Sequence, residues 1–207
     1  MEANEALKVL QDPAKPKKII YHWLNLGRCK LVGIGDSSLR QKSAKYSQGC
    51  YYVLLIENPA SGGVGGRVHV YEFRSNKATR VHKSSMGAEL LIMCRTSEAV
   101  QRLSLWLYEI FYGVEDAREL KESPNPFPVQ LVTDAFDIWS CLQCSRPYHG
   151  SDDSLAIYLE CLREDLLSGK VDELIWVPTK SMLADGGTKI MDDVLADAMM
   201  ETQQWFP

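Results

Sequence analysis

Three β-type runs follow one another between residues 29 and 75 with no helical period between them: "CKLVGIGDSS", "QGCYYVLLIEN" and "RVHVYEFRS". This succession constrains the fold most, because consecutive strands joined by short turns pair as an antiparallel meander. The second run is rich in aromatic and β-branched residues. The "PASGGVGG" that follows supplies a flexible turn, and it lacks the lysine and following helix of a phosphate-binding loop. In the third run Val68, Val70 and Glu72 alternate with His69, Tyr71 and Phe73, the period of a strand.

After Lys83 the period changes. Met86, Leu90, Met93, Val100, Leu103, Leu107 and Ile110 recur close to every 3.6 residues, which predicts a long amphipathic helix. Ser84 and Ser85 can cap its start, and Gly113 can stop it. Beyond the charged, proline-rich "ARELKESPNPFP" come a strand, "VQLVTD", a short helix, "AFDIWSCLQC", and a loop, "SRPYHGSDD". An amphipathic helix, "SLAIYLECLREDLLSGK", a strand, "VDELIWVPT", and a terminal helix from "DGGTK" to "QQWF" complete the chain. The order β-β-β-α-β-α-α-β-α predicts an α/β fold. Its five-stranded mixed sheet has three antiparallel strands, then parallel ones, with helices on both faces.

The length of 207 residues suits one domain with an extension. A net charge of −4 argues against a general nucleic-acid coat, but it is compatible with an enzyme whose acids hold metal and whose basic residues are local. No apolar run approaches the roughly 20 residues of a membrane span. "MEANEALKVLQDPAKPKK" has no apolar stretch behind a basic start, so no signal peptide is expected. Six cysteines, mostly in apolar periodic segments, suggest reduced thiols in an intracellular protein, cytoplasmic or nuclear. Cys141 and Cys144 have zinc-like spacing without a second pair. Trp106, Trp139 and Trp176 lie in apolar periodic segments and are expected in the core.

The chemistry lies with the acids. Asp36, Asp134 and Asp185 each stand where a strand ends, the usual place of ligand sites in open α/β sheets. Glu89 shares the apolar face of the long helix with Met86 and Met93, where a carboxylate is costly unless paired or metal-bound. Taken singly, each aspartate is equally a cap or turn residue. Taken together, four converging carboxylates repel one another. Divalent cations relieve that repulsion, and hard oxygen ligands suit Mg²⁺ or Mn²⁺.

The ordered blocks "LVGIGDSS", "VHKSSMGAELLIM", "VQLVTDAFDIW" and "LREDLLSGKVDELIWVPTKSMLADGGTK" resemble the ribonuclease H domain of copia-type LTR retrotransposon polyproteins. The resemblance spans about residues 29–190, and its last block is the most specific. It implies a ribonuclease H-like domain over 29–207, preceded by residues 1–28 as the remnant of a connection from an upstream reverse transcriptase. It implies hydrolysis of the RNA strand of RNA–DNA hybrids, with two Mg²⁺ or Mn²⁺ held by Asp36, Glu89, Asp134 and Asp185. Arg74, Lys77, Arg80, Lys83, Ser84, Ser85 and Lys180 are candidate contacts to the phosphate backbone; Arg40, Lys42 and Lys45 have the same chemistry in a more ordinary loop. Three departures stand out. "TKSML" lacks the histidine that cellular and retroviral ribonucleases H usually carry after their W-V-P strand. "DSLAIYLECLRE" lacks the K-H-I-D of many copia-type members, with His149 a few residues earlier. Gly186 and Gly187 are expected to weaken the first turn of the last helix and loosen Asp185. The missing histidine and the double glycine favour a competing reading, a non-catalytic or decayed nucleic-acid-binding module.

Overall fold

The structure, a computed structural model, describes residues 21–38, 47–59, 65–77, 84–113, 125–144, 153–188 and 194–205. Strands β1 (Cys29–Ser38), β2 (Gln48–Glu57) and β3 (Gly66–Lys77) form the expected meander, each antiparallel to the next. Helix α1 (Ser85–Tyr112) follows. Then come β4 (Val129–Thr133), α2 (Phe136–Gln143), α3 (Asp153–Leu167), β5 (Glu173–Trp176) and α4 (Val194–Thr202). β4 runs parallel to β1, and β5 runs parallel to β4. The strand directions thus match the sequence pattern.

The strand count does not. A sixth strand, β6 (Gln204–Trp205), pairs antiparallel with β3 and makes the order β5-β4-β1-β2-β3-β6. The terminal helix ends at Thr202 because Gln203 takes a positive φ of 56° and turns the chain back to the sheet. Trp205, 4% exposed, then completes the core beneath β3.

Two apolar layers flank the sheet. One joins Leu31, Val53, Leu55 and Leu131 to α1, α2 and α3. The other joins Val32, Ile34, Leu54 and Ile56 to α4 and the segment Val177–Ala184. The long helix begins and ends where its caps predict. Ser84 Oγ accepts the Gly87 N–H, and Gly113 adopts φ 64°. Leu90, Met93, Val100, Leu103 and Leu107 are buried, whereas Ile110, 73% exposed, leaves the core as the helix outruns the sheet.

In β3 the simple alternation fails. Val53 pairs with Glu72 and Leu54 with Val70, so Tyr71 is an extra, bulged residue. The bulge rephases the strand. Val68 and Val70 pack on the α4 side, while Glu72 meets Tyr51 and Arg102 on the α1 side. Two tryptophans also depart from expectation. Trp106 is 56% exposed and Trp176 40% exposed, and Trp139 is only partly buried. A helix exterior and the end of an edge strand have no second layer to cover a large ring.

The glycines of "GIGD" set the distance between α1 and β1. A Cβ on Gly33 would lie 2.6 Å from Val100 Cγ2 and 2.7 Å from Thr96 Cγ2. One on Gly35 would lie 2.5 Å from Thr96 Oγ1. These contacts are with branched side chains that have little freedom to move away. Gly33→Ala is therefore expected to cost about 1–3 kcal/mol of stability, read as a lower urea midpoint at unchanged slope. An unchanged midpoint would show that the layers are not in close contact.

Of the expected N-terminal segment, residues 21–28 are described. Leu24 joins the α1-side core, and the Tyr21 hydroxyl donates to the Val70 carbonyl at 3.1 Å.

Candidate metal centre

β1 carries Asp36 to the end of the central strand, where it is 3% exposed. The glycine floor lets the first turns of α1 lie over that end. Glu89 Oε2 accepts the backbone N–H of Ser37 at 3.2 Å. Asp134 follows β4, the parallel neighbour of β1. One carboxylate oxygen from each of Asp36, Glu89 and Asp134 lies within 4.8 Å of the others. Ser85, Met86, Glu89, Asp134 and Phe136 line an open cavity of about 290 Å³ beside them.

Burial, and then the charges of Asp36 and Asp134, push the Glu89 carboxyl up to about 9; the Ser37 hydrogen bond opposes the shift only in part. Without a cation, the cluster therefore holds a proton that ordinary carboxylates release near pH 4. Three converging hard oxygen donors that resist joint ionisation fit a divalent ion such as Mg²⁺ or Mn²⁺.

The structure brings three of the four expected acids together. Asp185 lies outside the 4.8 Å group, on the 3₁₀ turn Leu183–Gly187. That turn is clamped rather than loose, and it is separate from α4. The Gly187 carbonyl accepts from Ser75 Oγ, and the Thr188 carbonyl accepts from Ser38 Oγ at 2.9 Å. A Cβ at Gly187 would run into Cys50 Sγ, so this glycine is what lets the turn press against β2. The expected weak first turn of the last helix is thus replaced by a separate, hydrogen-bonded 3₁₀ turn.

Thr188 is the residue that sequence reasoning missed. Its hydroxyl, in a residue 5% exposed, lies 2.7 Å from Asp36 Oδ2 and 2.9 Å from the Asp185 carbonyl. It links the Asp185 turn to the central acid. The only signal for it was a threonine three positions after Asp185 in "LADGGTK". Thr188→Val keeps the shape and removes the donor. It should lower Mn²⁺ affinity about 10-fold or more, measured by calorimetry, and Thr188→Ser should restore it. Equal affinity in all three proteins would remove the link from the site.

The expected phosphate contacts are dispersed. Ser84 is used as the helix cap, and Ser85 lies at the cavity. Arg74 is paired with Glu72 at 2.8 Å. Lys77 ends β3, and Lys180 lies exposed on the turn Thr179–Ser181. Arg80, Lys83, Arg40, Lys42, Lys45 and His149 lie outside the described residues. All six cysteines are free, and among the described residues no helix is long and apolar enough to cross a membrane.

Fold and site together define a mixed α/β domain with a three-carboxylate centre at the ends of its middle strands. No family model matches the chain, and no curated protein matches it. Among solved structures, it is similar to LC11-RNase H1, isolated from compost by a metagenomic approach. Identity is 12% over 82% of this chain and 98% of that one, at TM-score 0.48. It is also similar to RNase H1 of the archaeon Halobacterium salinarum, at 14% identity over 73% and 88%, TM-score 0.41. A third is the foamy viral protease-reverse transcriptase in complex with an RNA/DNA hybrid, at 12% identity over 85% of this chain and 23% of that one, TM-score 0.46.

Proposed function

We propose that the chain is a ribonuclease H that hydrolyses the RNA strand of RNA–DNA hybrids and serves the replication of a copia-type retrotransposon. The observation that carries this is the convergence of Asp36, Glu89 and Asp134 within 4.8 Å from three separate elements. A binding module gains nothing from clustered carboxylates facing a polyanion. Two divalent ions, Mg²⁺ or Mn²⁺, would supply an activated water and neutralise charge on the leaving oxygen. Asp36, central and buried, would ligate both. Asp185 would help hold the ion on the water side, with Thr188 fixing its turn against Asp36. Glu89 and Asp134 would hold the ion on the leaving-group side, and Glu89, which lines the open cavity, would sense the 2′-hydroxyl that separates RNA from DNA. In this reading residues 1–28 descend from the connection to an upstream reverse transcriptase, the expected partner in cis, and the site of action is intracellular.

The test is cleavage of an end-labelled hybrid with Mg²⁺ or Mn²⁺. Cutting of the RNA strand alone, leaving 5′-phosphate and 3′-hydroxyl ends, is expected. If the folded chain cuts nothing in either metal, with or without an upstream segment restored, the reading gives way to a non-catalytic hybrid-binding module.

A further inference from the structure

Phe136, two residues beyond Asp134, is 55% exposed and lines the cavity that Glu89 and Asp134 share. Its ring stands edge-on to Trp176, with centroids 5.8 Å apart and planes at 83°. It is tilted by 32° against Trp139 at 5.7 Å. The Trp176 indole N–H donates to the Asp134 carbonyl at 3.0 Å. Three rings from α2 and the end of β5 are thus tied to the backbone of a cluster acid, and the foremost of them remains open to solvent.

An apolar ring half open to water at the edge of a charged cavity has no role in the core. Phe136 contributes little to stability by burial, since more than half of it stays hydrated. Its two aromatic neighbours and the indole hydrogen bond fix its orientation, so little side-chain entropy is lost when something covers it. Carboxylates and their cations do not bind the apolar edge of the cavity, but a nucleotide's sugar and base do. In an A-like hybrid duplex the base faces are stacked away. What the shallow minor groove presents are ribose rings and base edges.

We infer that Phe136, braced by Trp139 and Trp176, is a substrate-contacting platform. It packs against the sugar and base edge of a nucleotide next to the scissile phosphate and sends the hybrid across the β4–β5 side of the site. This inference rests on the proposed substrate and not on turnover. It adds an apolar anchor to a site otherwise made of charges.

The experiment is fluorescence-anisotropy titration of a labelled RNA–DNA hybrid in Ca²⁺, with Phe136→Leu and Phe136→Tyr beside the wild-type chain. Leu keeps apolar bulk for the packing on Trp139 and removes the flat face; Tyr keeps the face. Phe136→Leu should raise Kd about 10-fold, within the range known for lost aromatic contacts to nucleotides, and Phe136→Tyr should stay within about 2-fold of wild type. Because the ring is uncharged, the ratio of the Leu and wild-type Kd values should hold constant as salt rises, whereas a disturbed phosphate contact would change the salt slope. Ca²⁺ affinity measured without nucleic acid should be equal in all three, which a damaged acid cluster would not allow. Equal hybrid affinity in Leu and wild type, a ratio that drifts with salt, or no hybrid binding by the wild-type chain would each overturn the platform. Cleavage is scored separately. Loss of affinity in Leu with no cleavage by wild type in either metal, with or without an upstream segment restored, sustains the platform and sinks the nuclease; cleavage with unchanged affinity in Leu does the reverse.

Discussion

Asp36→Asn is expected to abolish metal-dependent cleavage, by about 10³-fold or more, while leaving a folded protein. Asp36 stands on β1, an inner strand of the sheet, within 4.8 Å of Glu89 and Asp134, and is the most buried member of the cluster. An amide there keeps the volume and still meets Thr188, but removes one of the charges that draws a cation into the site. A loss of electrostatic stabilisation at one developing charge commonly costs 10²–10³. In the proposed two-ion site, a ligand shared by both ions should cost more. The measurement is single-turnover cleavage with saturating Mn²⁺, accompanied by circular dichroism. Residual activity within about 10-fold of wild type would exclude Asp36 as a shared ligand.

The second large effect concerns stability. In the absence of divalent metal, Glu89 remains protonated to about pH 9 in the folded chain, whereas in the unfolded chain it ionises near pH 4.3. The stability linked to that proton is fully present below the unfolded value. It is lost as pH rises toward the folded one, at up to about 1.4 kcal/mol per pH unit. Glu89→Gln, neutral throughout, escapes this loss. With chelator present, the two proteins should be nearly equal in stability at about pH 4.5, and Gln should lead by about 2 kcal/mol or more at about pH 8. Mg²⁺ should reverse the order by stabilising only the chain that can bind it. Urea denaturation across this range decides the matter. Parallel stability curves for the two proteins would mean that Glu89 is no more strained than a surface acid.

The legible parts of the molecule were those with local causes. Ser84 and Gly113 bound the long helix because capping depends on a few neighbouring residues. Strand directions followed from element order and short connections. Asp36, Glu89 and Asp134 could be picked out because strand exits and a helix face are periodic features. The illegible parts depend on distant partners. β6 exists because two residues find the free edge of β3. The bulge at Tyr71 changes the facing of Glu72 without altering the composition of the strand. Trp106 and Trp176 looked internal because an apolar period shows where a core would be welcome, not whether a second layer arrives to make it. Gly187 read as a weak helix start because its reason, the Cys50 sulfur, lies on β2, far away in the sequence. Thr188 could not be seen for the same reason, its carboxylate partner being 152 positions away.

That separation has a consequence for how the protein is made. The β1–β3 meander, with Asp36 at its strand end, leaves the ribosome well before the hydroxyl that meets Asp36, which lies 152 positions later. Until Thr188 emerges, Asp36 lacks the hydroxyl that it meets in the folded chain. A message cut short after β5 would give a product that still has three of its acids but lacks the clasp that joins the first strand to the last turn.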